Sequence, residues 1–299
     1  MTYFYPPEAT FRKACRGLVL PVLGQGACFM GERAETVNTE KAALMRGLSL
    51  GMNLVDTAEI YGDGGSERLI GDMLRGRLFN RGDVILMTKV HPCNASPPSL
   101  YESCDNSLLR LGTDHIDIYL LHWRDVSVPL DTIVYGMEEL KRRGKILHWG
   151  VSNFDVSDME ELFKLSNGSS CAVNQVLYHL GSRGIEYDLL TWLHSHDVAM
   201  VAYCPLAQGG RLRRTSIDFS SNAALCAVAE KYNTSIFQIM LAFVLRIKKI
   251  CAIPKAASIA HIEENAAAPA LAMAITPGDW AALDDVFLPP TAKMHLDME

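Results

Sequence analysis

No stretch of this 299-residue chain approaches the roughly 20 consecutive apolar residues that a membrane-spanning helix needs. The longest candidates, 238–245 and 266–275, fall well short, and Pro269 interrupts the second. The first residues, Met1 to Pro7, lack a basic stretch followed by an apolar one, so no secretory leader is expected. No C-x-x-C pair occurs among the eight cysteines. Their scatter excludes the usual zinc spacing and a disulfide framework, and it predicts free thiols in a reducing cytoplasm. Positive charge is not in excess either: 28 Lys and Arg stand against 34 Asp and Glu, a net charge of −6. A general nucleic-acid binder would need a basic stripe for phosphate. Basic residues do cluster at Lys141-Arg142-Arg143 and at Arg211-Leu212-Arg213-Arg214, but without the aromatics of a stacking platform. Neither a composition break nor a low-complexity linker divides the chain, which reads as one domain over 1–299.

What the chain has is alternation. Short apolar runs of strand composition recur near Leu20–Gly24, Asn53–Asp56, Val84–Lys89, Ile116–His122, Ile146–Ser152, Cys171–Gln175, Val198–Tyr203 and Ile250–Pro254. Segments of helical spacing lie between them. Thr39–Leu50 puts Ala42, Ala43, Leu44 and Leu48 on one side, and Leu130–Arg143 does the same with Ile133, Val134, Met137 and Leu140. Eight strand–helix units, with strands apolar on both faces, predict an α/β fold of the (β/α)8 TIM-barrel type. An open doubly wound sheet is the alternative, but its dinucleotide fingerprint is missing: Gly24-Gln25-Gly26 lacks the third glycine.

In a barrel the chemistry sits where the strands run out at their C-terminal ends. Those ends carry Asp56 with Tyr61 in the following loop, then Lys89, His122, Ser152-Asn153, Asn174-Gln175 and Tyr203. Each has a structural reading alone: a turn-forming Asp, a solvated Lys, a packing Tyr, a satisfied core His. Converging on one face, they point instead to a site. A metal site from Asp56, Glu59 and His122 is disfavoured, because it lacks closely spaced histidines and Lys89 opposes a cation. His194 and His196 fall on different faces of a helix and are expected at the surface.

The strings Asp56-Thr-Ala-Glu-Ile-Tyr61-Gly62, Met87-Thr-Lys89, Leu120-Leu-His122-Trp123, Gly150-Val-Ser152-Asn153-Phe154, Asn174-Gln175 and Ile253-Pro-Lys255 together resemble the aldo-keto reductase family, in order, from about residue 20 to 270. Lys255–Asn265 and the tail are similar to a bacterial subgroup with methylglyoxal-reducing members. The resemblance implies a catalytic tetrad of Asp56, Tyr61, Lys89 and His122 in an NADP-dependent oxidoreductase that reduces small aldehydes and ketones by hydride transfer. Tyr61 would be the general acid, its pKa lowered by the Lys89 ammonium, which Asp56 would hold in place. His122 would orient the carbonyl and share in proton delivery.

The same resemblance assigns the nicotinamide carboxamide to Ser152, Asn153 and Gln175, and ring stacking to Tyr203. It gives the pyrophosphate to the turn of Leu206, Gly209 and Gly210. Lys255, with Ser258 as helix N-cap and His261 in the first turn, would meet the 2′-phosphate of NADP(H). Glu264 and Asn265 match positions near the adenine. Ala256 replaces a frequent Ser and His261 a frequent Arg, so NAD(H) is expected to be accepted more weakly rather than refused. Cys28, Trp123 and the tail from Pro289 to Glu299 would line an open pocket for a small carbonyl substrate. A second expectation, of another class, is a cofactor-binding regulatory subunit of a membrane complex with negligible turnover. Neither reading calls for nucleic acid, and the first needs no membrane.

Overall fold

The structure, a computed structural model, describes residues 11–13, 17–210 and 218–299. The basic cluster at 211–214 lies outside the described residues. Eight parallel strands follow one another around a barrel: β3 (Gln25–Gly26), β4 (Leu54–Asp56), β5 (Ile85–Val90), β6 (Ile116–Leu121), β7 (Ile146–Ser152), β8 (Val173–Leu177), β9 (Ala199–Tyr203) and β10 (Ile250–Ala252). The ring closes where Leu23 bridges Ala252, the Gly24 N–H donates to the Ala252 carbonyl (2.8 Å) and the Gly26 N–H to that of Pro254 (3.1 Å). Closure leaves the eight-stranded ring without a free edge.

Side chains alternate across the strands, and the alternation builds two apolar layers. Leu54, Met87, Ile118, Leu120, Val173, Val201 and Cys251 fill the barrel interior. Val55, Leu86, Tyr119, Trp149, Val176 and Met200 face outward into the layer of helices. That layer includes α1 (Val37–Ser49), α2 (Gly65–Arg75), α3 (Ser99–Leu111), α4 (Leu130–Arg142), α5 (Val156–Phe163), α6 (Leu189–Ser195), α7 (Ala223–Lys231), α8 (Ile236–Leu245), α9 (Ile259–Ala274) and α10 (Pro277–Asp284). The apolar run at 238–245 is α8, buried from Ile239 to Leu245. No helix among the described residues is long and apolar enough to cross a membrane.

The first strand differs from the sequence expectation. The Leu20–Gly24 run divides: β2 (Val19–Pro21) pairs antiparallel with β1 (Phe11–Lys13), and the barrel strand proper is Gln25–Gly26. Pro21 has no N–H with which to carry a ladder onward, so pairing switches partners after it. Leu18 and Leu20 join the side chains inside the barrel. At the seam, a Cβ on Gly24 would lie 2.9 Å from a Leu54 methyl and one on Gly26 2.8 Å from the Ile253 carbonyl oxygen. These two glycines are demanded by close approach of the closing strands. His196 is exposed as expected, but His194 is half-buried with its Nε2 out of solvent, because α6 turns that face toward the chain before β10.

Candidate active site

Asp56 ends β4, Lys89 lies one residue from the end of β5, and His122 follows β6 directly. Parallel register places these ends side by side. The loop after β4 then turns back through three left-handed residues, Gly62, Asp63 and Gly64, into α2 and presents Tyr61 to the barrel mouth. A Cβ on Gly62 would meet the Glu32 side chain at 2.7 Å, so both conformation and space require glycine there.

The Lys89 ammonium is fully buried. It donates to Asp56 Oδ1 at 2.6 Å, to the Thr57 carbonyl at 2.8 Å and to Tyr61 Oη at 3.3 Å. Asp56 Oδ1 also accepts from Gln175 Nε2 at 2.9 Å, across the barrel from β8. Three donors' worth of contacts satisfy the ammonium, as a buried charge requires. Burial pushes the Asp56 carboxyl up from its ordinary value, and the charge and hydrogen bonds of Lys89 and Gln175 oppose that shift.

Tyr61 corrects the expectation drawn from its neighbour. Burial, followed by the charge of Asp56, pushes its phenol well above the ordinary value instead of below it. The Lys89 charge is neutralised by Asp56, and loss of hydration dominates what remains. The phenol is held protonated, the state a proton donor starts from. His122 is likewise shifted, down to about 2, first by burial and then by the positive charges of Lys89 and His91. A neutral imidazole can orient a carbonyl by hydrogen bonding, and in that state it is not an imidazolium acid. Its ring stands edge-on to Tyr61 at 5.7 Å and beside Trp123 at 4.9 Å, and its buried Nδ1 meets no protein partner.

Glu59 does not join this cluster. Its carboxylate accepts from the His91 N–H (2.6 Å) and from Asn94 Nδ2 (3.0 Å), and Lys89 fills the place beside Asp56.

The next three strand ends form a second network. Ser152 Oγ donates to the Gln175 carbonyl (2.8 Å), and Asn153, at a left-handed φ of 61°, donates through Nδ2 to the His122 carbonyl (3.2 Å). Tyr203 Oη donates to Asn153 Oδ1 (2.9 Å) and accepts from the Glu299 N–H (3.3 Å). Sequence reasoning did not anticipate this mutual satisfaction. What it leaves for an incoming amide is acceptor capacity, on Ser152 Oγ and the Gln175 side-chain oxygen.

Beyond β9, Ala207, Gln208, Gly209 and Gly210 are all left-handed. A Cβ on Gly209 would meet nothing within 4 Å, so its φ of 70° and not crowding asks for glycine. Gln208 is tied down by Glu299 (2.9 Å), so the tail lies over this turn; Lys293 straps it further, bridging Asp155 and Asp188. At the far end Lys255 is exposed, and Ser258 caps α9 by accepting the His261 N–H (3.3 Å). Glu264 is exposed, whereas Asn265 is buried with Nδ2 unpartnered. Cys28 is half-buried near the tetrad, its thiol pushed up to about 11 by burial.

Residues 22–287 match the aldo/keto reductase family. The chain is 47% identical over 279 residues to methylglyoxal reductase YeaE of Escherichia coli K12, covering 93% of this chain and 95% of that one. It is 30% identical to glyoxal reductase of Bacillus subtilis, covering 85% of each. Among solved structures, an aldo/keto reductase from Klebsiella pneumoniae in complex with NADP and acetate superposes with a TM-score of 0.90 at 43% identity, covering 97% of this chain and 99% of that one.

Proposed function

Because the chain belongs to the aldo/keto reductase family, we propose that it is an NADPH-dependent reductase of small aldehydes and ketones, with 2-oxoaldehydes such as methylglyoxal as its preferred class. The observation that carries this reading is the buried Asp56–Lys89–Tyr61 chain beside a neutral His122. The substrate class is supported by the methylglyoxal and glyoxal reductases that the chain resembles.

The residues fit NADP(H). Asn265 offers an orphaned buried donor where the adenine is expected, Ser152 and Gln175 offer acceptors for the carboxamide N–H groups, and the left-handed turn at 207–210 exposes backbone for a pyrophosphate. Lys255 and the N-terminus of α9 favour a phosphate, so NADP(H) is preferred over NAD(H). When bound, NADPH supplies the hydride. The chain supplies the rest. Tyr61 donates its proton to the carbonyl oxygen as negative charge develops there, and Lys89 at 3.3 Å stabilises the phenolate left behind. Asp56 and Gln175 keep the ammonium aimed. His122 is the neutral group that orients the carbonyl, against Trp123 and Cys28 as pocket walls.

Cys28, Cys93, Cys104, Cys204 and Cys226 are thiols without disulfides, which suits a reducing cytoplasm as the proposed location. The test is loss of NADPH absorbance across a panel of 2-oxoaldehydes, simple aldehydes and ketones. Turnover is expected throughout and fastest on the 2-oxoaldehydes. NADPH binding without turnover on any of them would overturn the reading in favour of a regulatory, cofactor-binding subunit.

A further inference from the structure

Immediately beyond β5, in the short turn Pro92–Asn94, the Cys93 thiol is exposed and its Sγ lies 2.8 Å from His91 Nδ1. The direction of that hydrogen bond follows from a third group. The Cys93 backbone N–H also points at Nδ1 (3.1 Å) and can only donate, so Nδ1 is the lone-pair nitrogen of the ring. The thiol hydrogen can then reach Nδ1 only by sharing that one lone pair with the backbone N–H. A weaker contact, Sγ to Asn94 Oδ1 at 3.5 Å, is the other place its proton could go.

Elements outside the turn hold the pair in this geometry. The Glu59 carboxylate fixes both the His91 backbone and the Asn94 side chain. The His91 ring stands edge-on to Trp123 (4.7 Å, 82°), an indole that His122 also contacts at 4.9 Å. A thiol aimed at an oriented base is the arrangement that activates sulfur as a nucleophile. Burial pushes Cys28 up to about 11 and Cys104 and Cys204 up to about 12, which suppresses their thiolates.

We propose that Cys93 and His91 form a second reactive centre, which captures a small 2-oxoaldehyde as a reversible hemithioacetal beside Trp123. The choice of electrophile rests on the reductase reading above; the nucleophilic pair does not. The Sγ proton passes to His91 Nδ1 as the S–C bond forms at the aldehyde carbon. The carbonyl π pair moves to oxygen, which takes the proton back from His91. Nothing is oxidised or reduced, and the reverse steps release the aldehyde intact. An adjacent carbonyl withdraws electrons from the aldehyde carbon, which is why 2-oxoaldehydes suit this step better than simple aldehydes.

The experiment measures carboxamidomethylation of individual cysteines by iodoacetamide, with peptide mass spectrometry and without cofactor. In the wild type, Cys93 is expected to react at least ten-fold faster than Cys226, a half-buried thiol with no imidazole partner. His91→Phe keeps a ring against Trp123 but has no base, and should slow Cys93 labelling by roughly 10²-fold. His91→Gln serves the same purpose should the Phe variant fold poorly. Excess methylglyoxal should slow Cys93 labelling, and gel filtration should restore it. Labelling of Cys93 no faster than Cys226, or unchanged by loss of His91, overturns the nucleophilic pair. Protection that is absent, or that persists after gel filtration, overturns the hemithioacetal. Tyr61→Phe should leave every one of these rates unchanged, so failure of the reductase reading and failure of this one are told apart.

Discussion

Lys89 is completely buried, with a carboxylate, a carbonyl and a phenol within 3.3 Å of its ammonium. Lys255, at the other end of the row of proposed site residues, is exposed before α9 and makes no ion pair among the described residues. Both are lysines at the ends of barrel strands, yet the fold has completed one site and left the other open. At Lys89 the partners are built in, water is excluded and charge interactions are strong; at Lys255 the partner must arrive, and salt screens the attraction. The buried end should therefore govern chemistry and stability together, and the exposed end affinity alone.

The sharpest way to break this contrast is Tyr61→Phe. The ring and its packing stay, so stability should hardly change. Turnover should fall by about 10²–10⁴-fold, the usual contribution of a general acid, while NADPH affinity stays within a few-fold. Aldehyde reduction within ten-fold of wild type would show that another group delivers the proton.

Lys89→Met comes next. It strands Asp56 in the interior without its cation, and breaking a buried pair costs about 3–5 kcal/mol. Urea unfolding should register that loss together with inactivity. Adding Asp56→Asn should recover part of the stability and none of the activity. An unchanged unfolding midpoint in the single variant would mean that the pair contributes no structure.

Lys255→Ala tests the exposed end. Loss of a charge-assisted contact should raise the Michaelis constant for NADPH by about ten- to a hundred-fold and leave that for NADH nearly unchanged. The gap between the cofactors should narrow with added salt, in wild type as well. Equal effects on both cofactors would remove Lys255 from the 2′-phosphate.

The smallest effect expected is on the acid side of stability. Burial holds the His122 ring down to about 2 and the His179 ring down to about 4, against about 6.5 in an unfolded chain. Below about 6.5 the unfolded chain takes up protons that these rings refuse. Their stabilisation is therefore complete above that pH and is lost as pH falls, levelling off only near the folded values. Each ring should contribute a loss of about 2 kcal/mol between pH 6.5 and pH 5. His179→Asn keeps an acceptor for the Gly181 N–H (3.0 Å) and should flatten the dependence of Tm on pH over that range. A slope identical to wild type would mean that His179 takes up protons in the fold as readily as in the unfolded chain.

The sequence was informative wherever an interaction is local. Seven of the eight expected strands lie within two residues of their observed bounds, because an apolar run bordered by polar residues has few other ways to be buried on both faces. Ser258 was recognisable as the cap of α9, and the strand-end polar residues stood out because each directly follows such a run. The failures are equally specific. The first strand was misplaced because its pairing is decided at the seam, where Gly24 and Gly26 meet Leu54 and Ile253 from opposite ends of the chain.

Composition and periodicity by themselves pointed to eight strand–helix units and to the polar side chains that follow seven of the strands, since period and polarity are properties of the chain before it folds. Tertiary structure alone decided which of those side chains satisfy one another and what their protons do. Gln175 reaches Asp56 across 119 residues, Tyr203 reaches Asn153 across 50, and Glu59 steadies His91 across 32. Lys89 in the sequence argues for a lowered Tyr61; in the fold Asp56 neutralises that charge and burial raises the phenol instead. The reason is physical: a pKa is set by desolvation and by distance to every nearby charge, and neither quantity exists until the barrel closes.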